Sequence, residues 1–196
     1  SGECTYEGGY FDVKYYTVEF LEAAAANGSE PARNAFLCSK CLFTRQERIA
    51  EIVARIPVFQ EQEREEKLLS FYSAMNFSMN YFWDMSKNDL FLRMRAAVDV
   101  VHFGLRMLLE EERVLFPCPK SLFATVERLE YKPEGICEKA NRLLRELSDE
   151  SKNDFVDTLL GFLTYQPPEA LSDVITRYIG DFEQWWYHSR PFIAEW

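Results

Sequence analysis

Residues 90–112 read Leu90-Phe91-Leu92-Arg93-Met94-Arg95-Ala96-Ala97-Val98-Asp99-Val100-Val101-His102-Phe103-Gly104-Leu105-Arg106-Met107-Leu108-Leu109-Glu110-Glu111-Glu112. Arg95, Asp99, His102, Arg106 and Glu110, with Arg113 one step beyond, recur at three- and four-residue intervals, and Ala97, Val98, Val101, Leu105, Leu108 and Leu109 fill the other side. That interval is the helical one. The Ser86-Lys87-Asn88 turn starts this helix, which runs to about Glu112 before Pro117 and Pro119 end it. Charges of alternating sign at i,i+4 spacing predict a solvated ladder, each pair contributing roughly a few tenths of a kcal/mol. In the functional reading the same ladder walls a substrate cleft. Its basic residues would meet phosphate, and Asp99 or Glu110 an amine or hydroxyl.

On the N-terminal side of that helix, residues 58–85 form a second long one. It opens highly charged at Glu61, Glu63, Arg64, Glu65, Glu66 and Lys67, and turns aromatic at Phe71, Tyr72, Phe77, Tyr81, Phe82 and Trp83. The first half is expected in solvent and the second in the core. A stripe of Ser73, Asn76, Asn80 and Asp84 runs among the aromatic residues and has to be paired if it faces inward. Shorter helices are predicted near residues 120–129, 136–147, 152–163 and 169–187, separated by Pro, Gly and Ser turns. Pro57 breaks an earlier helix over about 46–55 and marks a boundary. The fold class is therefore mainly α, an up-and-down helical bundle over 58–196 preceded by a small α/β part over 1–57. Such a bundle carries no functional message of its own.

Composition narrows the classes. The 196 residues are 47% hydrophobic and 15% aromatic, which argues for a packed core. A formal net charge of −10 argues against general nucleic-acid binding and leaves room for a small phosphate site; it reads first as a device for solubility, and an acidic wall could also attract cationic substrates. The longest apolar run, Ala96 to Leu109, is interrupted by Asp99, His102 and Arg106, so a membrane span is not expected. With no signal pattern and an odd count of five cysteines, the expected compartment is cytoplasmic. Cys38-Ser39-Lys40-Cys41 has zinc-knuckle spacing but lacks a second pair, so a structural pair of thiols is the favoured reading. Trp185, Trp186 and Trp196, with Pro191, are expected to pack the C-terminal segment onto the bundle.

The N-terminal part carries a sharper signal. In Gly8-Gly9-Tyr10-Phe11-Asp12-Val13-Lys14-Tyr15-Tyr16, Phe11, Val13 and Tyr15 alternate with Asp12, Lys14 and Tyr16, which is the period of a strand. A helix over about 18–26 comes next. Such a strand could hold Asp12 rigidly as a metal ligand, or be an edge strand kept soluble by Asp12 and Lys14. Further on come Gly28-Ser29-Glu30-Pro31-Ala32-Arg33 and Leu42-Phe43-Thr44-Arg45. Later pieces are Arg113-Val114-Leu115-Phe116-Pro117-Cys118-Pro119-Lys120 and Trp185-Trp186-Tyr187 with Arg190-Pro191-Phe192-Ile193-Ala194-Glu195-Trp196.

Together these segments resemble bacterial nucleotidyltransferases of the DNA polymerase beta-like superfamily that carry a helical C-terminal domain. The resemblance implies that residues 1–57 are a remnant of the nucleotidyltransferase domain. It also implies that Asp12 is the third metal-binding carboxylate, with magnesium as cofactor and a nucleoside triphosphate and a hydroxyl acceptor as substrates. Lys120, Arg95, Asp99, His102 and Arg106 become candidates for binding phosphate or substrate. The family's Gly-Ser and Asp-x-Asp motifs, which cradle triphosphate and hold the metals, are missing: this chain has no Asp-x-Asp, and Gly28-Ser29 comes after Asp12. The chain alone is therefore expected to be inactive. The alternative function is a non-catalytic helical interaction module, which includes a homodimer.

Overall fold

Gly8, at φ +91°, adopts a left-handed turn that a side chain would strain, and this turn pairs two strands. The computed structural model, which describes residues 2–188 and 192–196, places β1 at Gly2–Tyr6 and β2 at Gly9–Val13, antiparallel, with Glu3 opposite Asp12 and Thr5 opposite Tyr10. The strand around Asp12 is thus half of a hairpin whose first strand the sequence pattern does not announce. The expected alternation buries neither face, since Tyr6, Tyr10, Phe11 and Val13 are all exposed.

Three helices come after the hairpin. Thr17 caps α1 (Val18–Asn27), accepting from the Phe20 N–H at 3.1 Å. Pro31 sits in the first turn of α2 (Glu30–Asn34), and α3 spans Glu47–Arg55. Leu21 and Ala24 of α1 pack with Ile52 of α3 and the adjoining Ile56 as a small core. Arg33, 1% exposed, ties this core together by donating to the carbonyls of Gly28 (2.8 Å), Ile56 (2.9 Å) and Ala25 (3.2 Å). The arginine of the Gly-Ser-Glu-Pro-Ala-Arg segment is thus a clamp between helix ends.

The chain divides into two compact units between Val58 and Phe59. The second opens with a 3-10 turn at Glu61–Glu63 and α4 (Arg64–Phe77), which continues through a π-helical turn, Ser78–Phe82, into α5 (Trp83–Met85). Asp89 caps the longest helix, α6 (Leu90–Glu111), accepting from the Leu92 N–H at 3.0 Å. After it come α7 (Leu122–Glu127), α8 (Ile136–Glu146), α9 (Asp149–Phe162) and α10 (Leu171–Tyr178). A second π-helical turn, Ile179–Glu183, leads to α11 (Trp185–His188). The fold is mainly α, 63% helical with one two-stranded antiparallel sheet.

Cross-links fix the directions of these helices. Arg64, at the start of α4, donates to the Glu110 carbonyl (2.9 Å) and pairs with Glu111 at the end of α6, so the two long helices run antiparallel. Arg142 with Glu150 (2.8 Å) and Lys139 with Asp154 do the same for α8 and α9. The core lies along α6, where Val100, Phe103, Leu105, Met107 and Leu108 are at most 3% exposed. Gly104 lets α9 approach closely, because a Cβ there would meet Leu159 Cδ2 at 2.8 Å.

Burial overturns the solvated-ladder reading of α6. Arg106 and Glu110 are 0% exposed, whereas Val98, assigned to the apolar side, is 51% exposed. The aromatic core needs α6 from nearly all round in its second half, so the ladder enters the core after its first turns. On the preceding helix, Ser73 is buried with its Oγ unpaired among the described residues, while Asn80 and Asp84 are exposed. The π-helical turn between them takes one extra residue per turn and rotates the later residues out of the 3.6-residue register. The solvated first half is also only partly realised, since Lys67 is 1% exposed. Trp185 and Trp186 stand exposed rather than packed, and Pro191 and Arg190 lie outside the described residues.

Candidate functional site

Both π-helical turns contribute to one cavity. It has a volume of about 170 Å³ and is lined by Ser78 and Phe82 from the first turn, Tyr178 and Phe182 at the second, and Leu92, Arg95, Ala96 and Asp99 from α6. π-helical turns cost regular hydrogen bonding and recur at functional sites. Tyr178 is held between Phe77 (ring centroids 4.0 Å, planes at 7°) and Phe182 (4.7 Å, 16°), so its ring is fixed.

The polar groups of this cavity are few. Arg95 Nε donates to Asp99 Oδ2 at 2.8 Å, but the two side chains are unequally placed: Arg95 is 61% exposed and Asp99 19%. Burial pushes the Asp99 carboxyl above its ordinary pKa, and the Arg95 partner only partly offsets this. Tyr178 is pushed up to about 12, first by burial and then by the Asp99 charge. Ser78 is 2% exposed and Tyr178 8%. Among the described residues, Ser78 Oγ, Tyr178 Oη and Asp99 Oδ1 make no hydrogen bond.

The other sequence candidates are distributed elsewhere. His102 lines a second, apolar cavity with Val98, Val101, Leu122 and Leu144. Its pKa is lowered to about 4, chiefly by burial and then by the Arg106 charge, so the ring is neutral near pH 7. Arg106 stacks between the rings of Phe71 (4.3 Å) and Phe116 (4.0 Å) and donates to the carbonyls of Ala194 (3.1 Å) and Trp196 (2.6 Å). Lys120 is exposed on a 3-10 turn, Pro119–Ser121, that precedes a helix of only six residues. Of the five residues proposed for phosphate or substrate, the fold brings Arg95 and Asp99 together at one cavity.

In the N-terminal unit, Asp12 is exposed and accepts a hydrogen bond from Lys14 Nζ at 2.7 Å. This bond holds the Lys14 ammonium above its ordinary pKa. Glu3 stands directly across the hairpin from Asp12, so both carboxylates point to one side of the sheet. Among the described residues no group of three or more His, Cys, Asp or Glu side chains is placed to hold a metal, and Cys38 and Cys41 are exposed thiols.

Sequence reasoning missed Ser78, Tyr178 and Glu3. Two aromatic clusters, 77–83 and 178–187, lay open to view, but nothing in their spacing announces π-helical turns. Glu3 gains meaning only from the hairpin register. Among the described residues no helix is long and apolar enough to cross a membrane. Comparison with protein-family models, with curated proteins and with solved structures finds no match to this chain.

Proposed function

We propose that this chain is the acceptor-side and helical portion of a magnesium-dependent nucleotidyltransferase, with Asp12 as a metal-binding carboxylate. One observation carries the reading: Asp12 is presented in the open on a hydrogen-bonded strand, with Glu3 in register across from it. Two carboxylates on one rigid sheet face are a beginning for a hard divalent cation, which prefers oxygen ligands. In-line transfer from a nucleoside triphosphate needs further oxygen ligands. In this reading they come from another segment or chain, and transfer requires that complement. Asp12 would then help activate the acceptor hydroxyl.

The test is pyrophosphate release from nucleoside triphosphates in magnesium by the natively expressed protein, compared with its Asp12→Asn variant. Loss of an outer partner of a metal site already costs about 10- to 100-fold, so loss of a direct ligand is expected to cost about 100-fold or more. The fold should be unaffected, because the partner of Asp12 among the described residues is an exposed lysine. Turnover within a few-fold of the parent would remove Asp12 from the metal site.

A second reading, self-association of the helical unit, is favoured by Leu90, Phe91, Met94 and Val98. These side chains are 67%, 79%, 52% and 51% exposed and succeed one another at helical spacing on the first turns of α6. A continuous apolar face is a common mark of an interface. Sedimentation velocity of the protein across micromolar concentrations is expected to show a dimer that Phe91→Glu converts to monomer. A parent that stays monomeric throughout would discard this reading.

A further inference from the structure

Ser78 Oγ, Tyr178 Oη and Asp99 Oδ1 are three oxygens on one cavity that find no hydrogen-bond partner among the described residues. Ser78 and Tyr178 are more than nine-tenths buried. Their oxygens are nevertheless not sealed off, since neither is among the fully buried, partnerless atoms of the described residues, so each is free to bond a group that enters the cavity. Three acceptors, one of them charged, match the three N–H donors of a primary ammonium. The apolar remainder, Leu92, Ala96, Phe82 and Phe182, suits the alkyl carbon next to it.

The sign of the ligand follows from the depth of the two charges. Arg95 lies at the mouth, 61% exposed, while Asp99 lies inside at 19%. A group that enters the cavity meets the carboxylate at close range and the guanidinium near water, where its charge is screened. Arg95 also occupies Oδ2 alone, through one bond of 2.8 Å. A carboxylate can accept on both oxygens, so an incoming ammonium need not evict it. The net charge of −10 favours the approach of cations over anions.

From this arrangement we infer that the cavity between α6 and the two π-helical turns is a binding site for a primary alkylammonium group, held by Asp99, Ser78 and Tyr178. The site accommodates the head of a small amine or the end of a longer amine-bearing molecule. The inference does not require transferase activity or the metal reading of Asp12.

The experiment is an amide NMR titration of the protein with n-butylammonium chloride, butan-1-ol and inorganic phosphate at matched ionic strength. Butylammonium is expected to saturate, with the largest shifts at Ala96, Asp99 and Phe182, and to bind at least tenfold more tightly than butan-1-ol. Asp99→Asn should lose at least tenfold of that affinity. Tyr178→Phe keeps the ring stack and removes only the hydroxyl, so it should weaken binding several-fold while the folded spectrum is retained. Equal affinity for butylammonium and butan-1-ol would reduce the site to an apolar hollow and overturn the inference. Preferential binding of phosphate, or unaltered butylammonium affinity in a folded Tyr178→Phe or Asp99→Asn protein, would also overturn it.

Discussion

Arg106→Ala is expected to lower the unfolding free energy of the helical unit by about 3–5 kcal/mol, the range of large losses when a fully buried, hydrogen-bonded side chain is removed from a core. Three contributions add in the same direction. The guanidinium lies between Phe71 and Phe116 at 4.3 and 4.0 Å, and such cation–π contacts strengthen when water is excluded. It satisfies the carbonyls of Ala194 and Trp196, which tie residues 192–196 to α6. Its removal also leaves a void where the side chain was 0% exposed. Since domain stabilities run to about 5–15 kcal/mol in total, a substantial share of the variant should be unfolded at moderate denaturant.

Two companions separate the contributions. Arg106→Met restores much of the volume between the rings and should recover part of the loss, while the two carbonyls stay unsatisfied at about 1–3 kcal/mol. Arg95→Ala removes a largely exposed arginine of the same helix from an i,i+4 pair with the half-buried Asp99 and should cost no more than about 1 kcal/mol. Urea unfolding followed by far-ultraviolet circular dichroism measures all three. An Arg106→Ala loss as small as that of Arg95→Ala would mean that the buried guanidinium and its contacts carry little net stability.

The contrast between these two arginines shows what the sequence can and cannot disclose. Period and punctuation located some helices closely: the predicted starts near 18, 46 and 136 and the ends near 55 and 147 fall within a residue or two of the observed ones, whereas the expected single helices over 58–85 and 169–187 are each interrupted by a π-helical turn. Caps and prolines act locally, so local sequence reports them. The side on which a polar stripe lies is not a local matter. Arg95 and Arg106 occupy the same ladder, yet one is at a cavity mouth and the other is in the core, because α6 is covered on more sides toward its end. The same holds for the site. Asp99 and Arg95 could be singled out from the ladder, whereas Ser78 and Tyr178 join them only through two π-helical turns distant in sequence. Asp12 was legible as a lone carboxylate on a strand, but its neighbour Glu3 depends on the hairpin turn at Gly8.

His102 makes the buried end of α6 sensitive to acid. Its folded pKa of about 4 lies below the ordinary value of 6.5, because burial penalises the imidazolium and the Arg106 charge adds to that penalty, while the Ala194 backbone only partly counteracts them. With a lowered pKa in the folded state, the unfolded chain binds the proton more readily. Stability is therefore unaffected well above pH 6.5, falls as the pH drops from about 6.5 to about 4, and levels off below that. The full effect approaches about 3 kcal/mol, and about 2 kcal/mol should be lost between pH 7.5 and pH 5. Carboxylates also titrate at the acid end, so the diagnostic quantity is the difference between the parent and His102→Leu, which keeps an apolar group against Phe103 and Phe116. The parent should lose about 2 kcal/mol more than His102→Leu over that interval. Arg106→Met, by removing the second cause of the shift, should flatten the parent's acid slope in the same direction though by less. If the parent and His102→Leu lose stability in parallel, the buried ring is not the acid-sensitive group, and the slope belongs to the carboxylates around it.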